Sequence, residues 1–185
     1  MPIPDSPMVV VLASGRGERF IASGGQGSKL QAEIGGRTVL DRTLDAVRRS
    51  GLPWHVEDAG HPGMGDSIAA GVEATRDAAG WLILPGDLPL VHPQSLRIVA
   101  EALKASAVVL PTHRGVRGHP VGFARECGEA LRALNGPLGA APVVKAWAAR
   151  GATTTIEIDD PGIVTDIDTL ADLQAVRTKL SAGSS

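Results

Sequence analysis

The chain has 185 residues, 43% of them apolar and 21% charged, with 18 basic and 20 acidic side chains and a formal net charge of −2. That length fits one domain able to bury well over half of its unfolded surface without a disulfide or metal staple. Interspersed charge and 3% aromatic content exclude a nucleic-acid footprint, and the longest apolar runs, such as 105–110, fall far short of a membrane span.

Residues 1–7 have neither the basic nor the apolar part of a secretory signal, and Cys127 is the single cysteine. Both predict a cytoplasmic protein. Residues 8–12, Met-Val-Val-Val-Leu, then read as a strand buried on both faces of a parallel sheet. The run empties into Ala13-Ser14-Gly15-Arg16-Gly17-Glu18-Arg19-Phe20, with Lys29 nine residues further on. Ligands of open α/β sheets gather beyond the carboxyl ends of such strands. Gly15 and Gly17 can take positive φ and turn N–H groups toward an anion, while Arg16, Arg19 and Lys29 add positive charge. Phosphate recognition is the reading, against the alternative of a glycine-rich turn with solvated charges. Neither common phosphate fingerprint is present. G-x-G-x-x-G needs Gly where Phe20 stands, and Walker A needs Gly-Lys-Ser/Thr where the chain has Gly27-Ser28-Lys29-Leu30.

Strand-like and helix-like segments then alternate, which predicts an α/β sandwich with a mainly parallel sheet. Residues 39–50 place Leu40, Leu44 and Val47 on one helical face, and Gly51-Leu52-Pro53 ends that helix. A short strand at 54–58 precedes Gly63-Met-Gly-Asp-Ser67, which leads into a helix carrying Ile68 and Val72. Residues 81–84 are the next buried strand, stopping at Pro85-Gly86-Asp87. A helix over 93–104 and a strand at 107–110 follow. The polar turn 114–118 and the segment 119–123 predict one antiparallel excursion. Two short helices at 127–134 and 142–150, a strand at 153–158, and a helix opened by the capping box Thr169-x-x-Asp172 complete the pattern. Residues 1–180 are expected to form a single domain and 181–185 a disordered tail.

Asp87 ends a buried strand between two prolines, at the sheet edge where the first loop emerges. That is a position for magnesium, which keeps several waters and is held by one or two carboxylates plus substrate phosphates. The alternative is an Asp that shapes a turn. Asp166 and Asp168 lie two residues apart, so in extended geometry they share a face, and paired carboxylates call for a cation or hydrogen-bond donors. Asp168 alone reads rather as a residue organising the helix entry beside Thr169. His119, held between glycine and proline, is a candidate to line an acceptor pocket, where a structural role is the alternative. Cys127 reads as a small core residue, and the five histidines lack zinc spacing.

Taken in order, residues 12–20 with Lys29, Gly63-Met-Gly-Asp-Ser67, Pro85-Gly-Asp-Leu-Pro89, Gly118-His-Pro-Val-Gly-Phe123 and residues 166–173 resemble the MobA/MocA-like nucleotidyltransferases, across nearly the whole chain. The resemblance implies a three-layer α/β/α Rossmann-like nucleotide-diphosphate transferase fold. It implies transfer of NMP from a bound NTP with Mg²⁺ to a phosphorylated small-molecule acceptor, molybdopterin or molybdenum cofactor, with loss of pyrophosphate. It also implies a molybdoenzyme as partner. By the same resemblance Arg19, Lys29 and Asp87 are catalytic. Leu12, Ala13, Ser14, Gly15, Arg16, Gly17, Arg19, Lys29, Gly65 and Ser67 bind nucleotide, His119 faces the acceptor, and Asp87 and Asp166 hold metal. The Leu-Ala-Ser-Gly and Gly-His-Pro-Val forms are closer to the cytidylyl than to the guanylyl branch. Gly17 and Phe20 stand where the family usually has Ser and Met, Ile21 to Ser28 lengthens the path to the lysine, and the connection to Gly63 is shorter by one strand–helix unit. Two other functions fit the same motifs: transfer to a sugar phosphate or other small molecule, and a non-catalytic chaperone that delivers a pterin or nucleotide to a molybdoenzyme.

Overall fold

The computed structural model of the protein describes residues 5–15 and 17–182. The opening apolar run is strand β1 (Met8–Leu12). A five-residue helix α1 (Glu18–Ala22) follows, then a two-stranded hairpin of β2 (Glu33–Ile34) and β3 (Arg37–Thr38), and helix α2 (Val39–Ser50). Next come β4 (Trp54–Glu57), α3 (Met64–Ala74), β5 (Gly80–Pro85) and α4 (Pro93–Ala102). The second half contains β6 (Val108–His113), β7 (Val116–Arg117), β8 (Val121–Ala124), α5 (Gly128–Arg132), α6 (Ala141–Ala149), β9 (Thr153–Glu157) and α7 (Leu170–Ala182).

The main sheet has seven strands in the order β4-β1-β5-β8-β6-β7, with β9 also pairing β6. β1 is parallel to both neighbours, and β6 is parallel to β9. The predicted antiparallel excursion is β8, inserted between β5 and β6 and antiparallel to both, together with the β6–β7 hairpin. Alternation along the central strands explains why they read as unbroken apolar runs. Val9, Val11, Leu82 and Leu84 face one apolar layer, filled by Leu44 and Val47 of α2 and Leu96 and Val99 of α4. Val10, Trp81 and Ile83 face the opposite layer, filled by Ile68 and Val72 of α3, Leu131 of α5 and Val143 of α6. Helices therefore cover both faces, which is the expected three-layer α/β/α arrangement.

A third apolar cluster lies outside this sandwich. Phe20, Leu30, Ile34, Val39, Ile167, Leu173 and Val176 join the long amino-terminal connection to α7. The segment 21–28 is not a free spacer. Gly25 N–H donates to the Phe20 carbonyl, and its Cα lies against the Phe20 ring so closely that no side chain fits there. α7 starts with the predicted capping box: Asp172 Oδ2 accepts from Thr169 N–H at 2.7 Å and from Asp168 N–H at 3.1 Å, while Thr169 Oγ1 accepts from Asp172 N–H at 3.2 Å. Of the expected tail, Ser181 and Ala182 belong to α7, and 183–185 lie outside the described residues. α4 is capped from across the fold. Asp160, 9% exposed, accepts from His92 N–H at 2.9 Å and Ser95 Oγ at 2.6 Å through Oδ2, and from Gly162 N–H at 2.8 Å through Oδ1.

Candidate active site

Parallel pairing sets the site. Leu12 is in register with Glu57 on one side and Pro85 on the other, so the loops leaving β1, β4 and β5 open at one edge of the sheet. Between them lies a cavity of about 230 Å³, walled by Leu12, Ser14 and Gly15, by His61, Pro62, Gly63, Met64 and Ser67, and by Pro85, Gly86 and Asp87, with Lys29 and Leu30 closing it. Gly86 N–H donates to the Leu12 carbonyl at 2.9 Å, which ties two of these loops together.

Lys29 is delivered by local structure. Ser28 Oγ accepts from Leu30 N–H to cap a single 3₁₀ turn, Lys29–Gln31, and Leu30, 4% exposed, anchors that turn in the third cluster. The ammonium then reaches Asp87 Oδ2 at 2.6 Å and Asp168 Oδ1 at 3.0 Å. Arg19 Nη1 meets the other Asp168 oxygen at 2.8 Å, from a side chain that is 77% exposed. Burial works to lower the Lys29 pKa, but the adjacent Asp87 carboxylate, and then Asp168, outweigh it and hold the ammonium above its ordinary 10.5.

Asp166 and Asp168 arrive together because they flank Ile167, which is fully buried in the third cluster and whose N–H donates to the Asp87 carbonyl at 3.0 Å. The predicted two-residue alternation turns Ile167 inward and both carboxylates outward. Oxygens of Asp87, Asp166 and Asp168 lie within 4.8 Å of one another. Burial first, then the Asp168 and Asp87 charges, raise the Asp166 pKa above 3.8, against the pull of its own N–H. Asp87 Oδ1 is buried without a hydrogen-bond partner. An orphaned carboxylate oxygen inside a ring of three acids is what a divalent cation would satisfy, so the donor set fits the expected Mg²⁺.

The other sequence candidates fall at different distances from the cavity. Leu12, Ser14, Gly15 and Ser67 line it. Ala13 and Gly17 are not among its walls, and Arg16 lies outside the described residues. Ala13 N–H and Ser14 Oγ both donate to the Glu57 carbonyl. Gly17 takes positive φ, 62°, as the N-cap of α1, whereas Gly15 does not. A Cβ on Gly15 would meet nothing within 4 Å, so its value there is open space rather than backbone freedom. Gly65 packs instead on the backbone of Asn135 and donates to the Gly136 carbonyl at 2.8 Å, bracing the start of α3. His119 sits beside the acids, outside the cavity wall. Burial lowers its pKa below 6.5 against the opposing Asp87 charge, and its buried Nδ1 lacks a partner. Cys127 is fully buried, and burial pushes its thiol up to about 12, as befits a core residue.

Sequence reasoning leaves Asp168 between the metal pair and the helix entry, and it misses His61. Asp168 does not cap α7, which Thr169 and Asp172 accomplish; its carboxylate turns to Lys29 and Arg19. The spacing that pairs it with Asp166 is the available signal. His61, at the cavity wall, places Nε2 3.1 Å from Oε1 of Glu57, a 7% exposed carboxylate at the end of β4. No local pattern marks that pair.

With this geometry in hand, comparison with known proteins is direct. Residues 45–152 match the family model described as "MobA-like NTP transferase domain", which is more than half of the chain. The chain belongs to the MobA-like NTP transferase family. It is therefore a nucleotidyltransferase by class, and its family match spans Asp87 and His119. Lys29, Asp166 and Asp168 lie outside the matched residues. Sequence comparison with curated proteins gives no match. Among solved structures, Rv0371c from Mycobacterium tuberculosis H37Rv is 23% identical with a TM-score of 0.78, over 94% of this chain and 97% of that one. A second structure of Rv0371c is a complex with manganese, 22% identical with a TM-score of 0.73, over 94% of this chain and 98% of that one. A nucleotidyl transferase from Methanothermobacter thermautotrophicus is 21% identical with a TM-score of 0.78, over 97% and 99% of the two chains. Molybdopterin-guanine dinucleotide biosynthesis protein A from Archaeoglobus fulgidus is 16% identical with a TM-score of 0.65, over 95% and 99%. These likenesses establish that this MobA-like transferase has the nucleotidyltransferase-like α/β fold.

Proposed function

We propose that this MobA-like transferase moves CMP from CTP, in preference to GMP from GTP, to the phosphate of a molybdopterin-type acceptor, with Mg²⁺ and release of pyrophosphate, in the cytoplasm and in the service of a molybdoenzyme. One observation carries the reading: Lys29, Asp87, Asp166 and Asp168 meet at the edge of the same 230 Å³ cavity that the β1 loop and the start of α3 enclose. A non-catalytic carrier would need the cavity but not the convergence of acids and cations beside it. The likeness to a molybdopterin-guanine dinucleotide biosynthesis protein supports a molybdopterin acceptor, and the manganese complex of Rv0371c supports divalent metal.

The residues divide the work. Leu12, Ser14, Gly15, His61 and Ser67 enclose the nucleoside. Lys29 and Arg19 neutralise charge that builds on phosphoryl oxygens during in-line displacement. Asp87 and Asp166 would hold Mg²⁺, which supplies Lewis-acid polarisation of those oxygens. His119, kept neutral by burial, faces the acceptor side. The attacking phosphate of the acceptor is already ionised, so the protein need only position the two reactants and no covalent nucleophile is required.

The test is pyrophosphate release with each NTP, Mg²⁺ and molybdopterin. Turnover is expected with CTP above GTP, and Asp87→Ala should lower it by about 10²-fold or more. Tight binding of nucleotide or pterin with no turnover under any pairing would replace the enzyme reading with the chaperone one.

A further inference from the structure

Lys29 occupies an unusual place for a phosphate-binding lysine. Although Lys29 lines the cavity, its ammonium lies between two of the three acids, 2.6 Å from Asp87 Oδ2 and 3.0 Å from Asp168 Oδ1, with a side chain only 12% exposed. A divalent cation held by Asp87 and Asp166 would use the unpartnered Asp87 Oδ1, on the same carboxylate whose Oδ2 Lys29 holds, at a metal–oxygen distance of roughly 2.1 Å. Two cations on one carboxylate, inside a cluster whose acid oxygens lie within 4.8 Å of one another, repel strongly in a partly buried site. Arg19 does not resolve the conflict: 77% exposed, it neutralises the outer Asp168 oxygen only and is screened by solvent.

We propose that Lys29 guards the cation site, holding Asp87 and Asp168 against a divalent ion in the nucleotide-free protein and leaving only when a triphosphate offers it another anion. This rests on the reading of the acid cluster as the metal site. The consequence is an ordering device. Metal alone must take Asp87 from a paired ammonium and bring a second cation beside it, which is unfavourable. Metal arriving with NTP lets Lys29 exchange carboxylates for phosphate oxygens, so its pairing is kept throughout. The backbone at Lys29 is anchored by buried Leu30, and the four-carbon stem, flexible by nature, runs past Gly17, where a Cβ would stand 3.6 Å from Lys29 Cγ without a clash. Lys29 thus opposes metal in one state and assists the phosphates in the other.

The experiment measures Mn²⁺ binding to the nucleotide-free protein by electron paramagnetic resonance, for the wild type, Lys29→Met and Lys29→Arg. Lys29→Met should bind Mn²⁺ about tenfold more tightly than wild type, and Lys29→Arg should remain close to wild type. An independent readout uses the wild type alone: acetylation of Lys29 by acetic anhydride, followed by mass spectrometry, should be slow in the resting protein and faster once Mn²⁺ is added at saturating concentration. Equal or weaker Mn²⁺ binding by Lys29→Met, or Lys29 acetylation that Mn²⁺ leaves unchanged or slows, overturns the proposal while the metal site itself stands. If neither wild type nor variants bind Mn²⁺, with or without CTP, the cluster is not a metal site and both readings fail.

Discussion

At the scale of single residues, the site is a balance of charges in which each member is held by something other than its partners. Lys29 is set by a capped turn, Asp87 by the end of β5, and Asp166 and Asp168 by the buried Ile167 between them. Because Lys29 is expected to change partners during binding, its removal should separate two affinities that ordinarily fall together. Lys29→Ala is predicted to weaken CTP binding by about tenfold or more, through loss of a charge-assisted contact, with the fold intact by circular dichroism; calorimetric titration with CTP checks it, and unchanged affinity would remove Lys29 from the phosphate site. Most of these residues are visible in the sequence because chemistry-bearing side chains stand at strand ends or beside glycine. Asp168 is the exception, because a helix-cap Asp and a site Asp look alike when read locally. The capping box of Thr169 and Asp172 is legible in the sequence, but only the fold shows that the Asp168 carboxylate turns away from the helix to Lys29 and Arg19.

Elements rather than residues decide how the acids stay in place. α7 packs on the third cluster through Leu170, Leu173, Val176 and Leu180, and its start is fixed by the box formed by Thr169 and Asp172. Although burial opposes it, bonds from Thr169 and from the Thr169 and Asp168 N–H groups lower the Asp172 pKa below 3.8. A depressed carboxylate pKa contributes stability that is present above the unfolded value and lost as pH falls through the folded one. Asp172→Asn should therefore be less stable than wild type at pH 7, by about 1 kcal/mol, and the gap should close as the pH falls below the usual carboxylate range. Urea denaturation at a series of pH values checks this, and a gap that is constant with pH would mean the carboxylate charge is not what caps α7. The major helices and strands are legible from periodicity, α2 to the residue. α1, the β2–β3 hairpin and the 3₁₀ turn at Lys29 are not, because elements of two to five residues carry no period and are held by tertiary contacts, Phe20, Leu30 and Ile34 in the third cluster.

For the molecule as a whole, the decisive event is a return. After β9 the chain crosses back over the strand ends to lay residues 166–168 against Asp87, and it passes beneath residues 90–91 with no room to spare. A Cβ on Gly162 would fall on the Leu90 carbonyl and within 2.8 Å of Val91 N; its φ is unremarkable, so the demand is for space and not for backbone freedom. Gly162→Ala is predicted to cost roughly 3 kcal/mol by overpacking and to displace Asp166, so that Mn²⁺ affinity falls along with the urea midpoint. Loss of stability with metal affinity intact would show that the crossing and the acid cluster are independent. Nothing in the local sequence around Gly162 announces this crossing, since the close approach involves segments far apart in the chain. The alternation of strands and helices does announce the layered sheet, and with it the edge at which ligands collect.

Asp168 lies 139 positions beyond Lys29, and that separation has a bearing on synthesis. A polypeptide emerging from the ribosome presents its glycine turn, its lysine and then Asp87 long before the acids that complete the centre are translated. Until those last carboxylates emerge the nascent protein lacks Asp168, the shared partner of Lys29 and Arg19, so premature termination anywhere upstream of them yields a product whose charge cluster is incomplete.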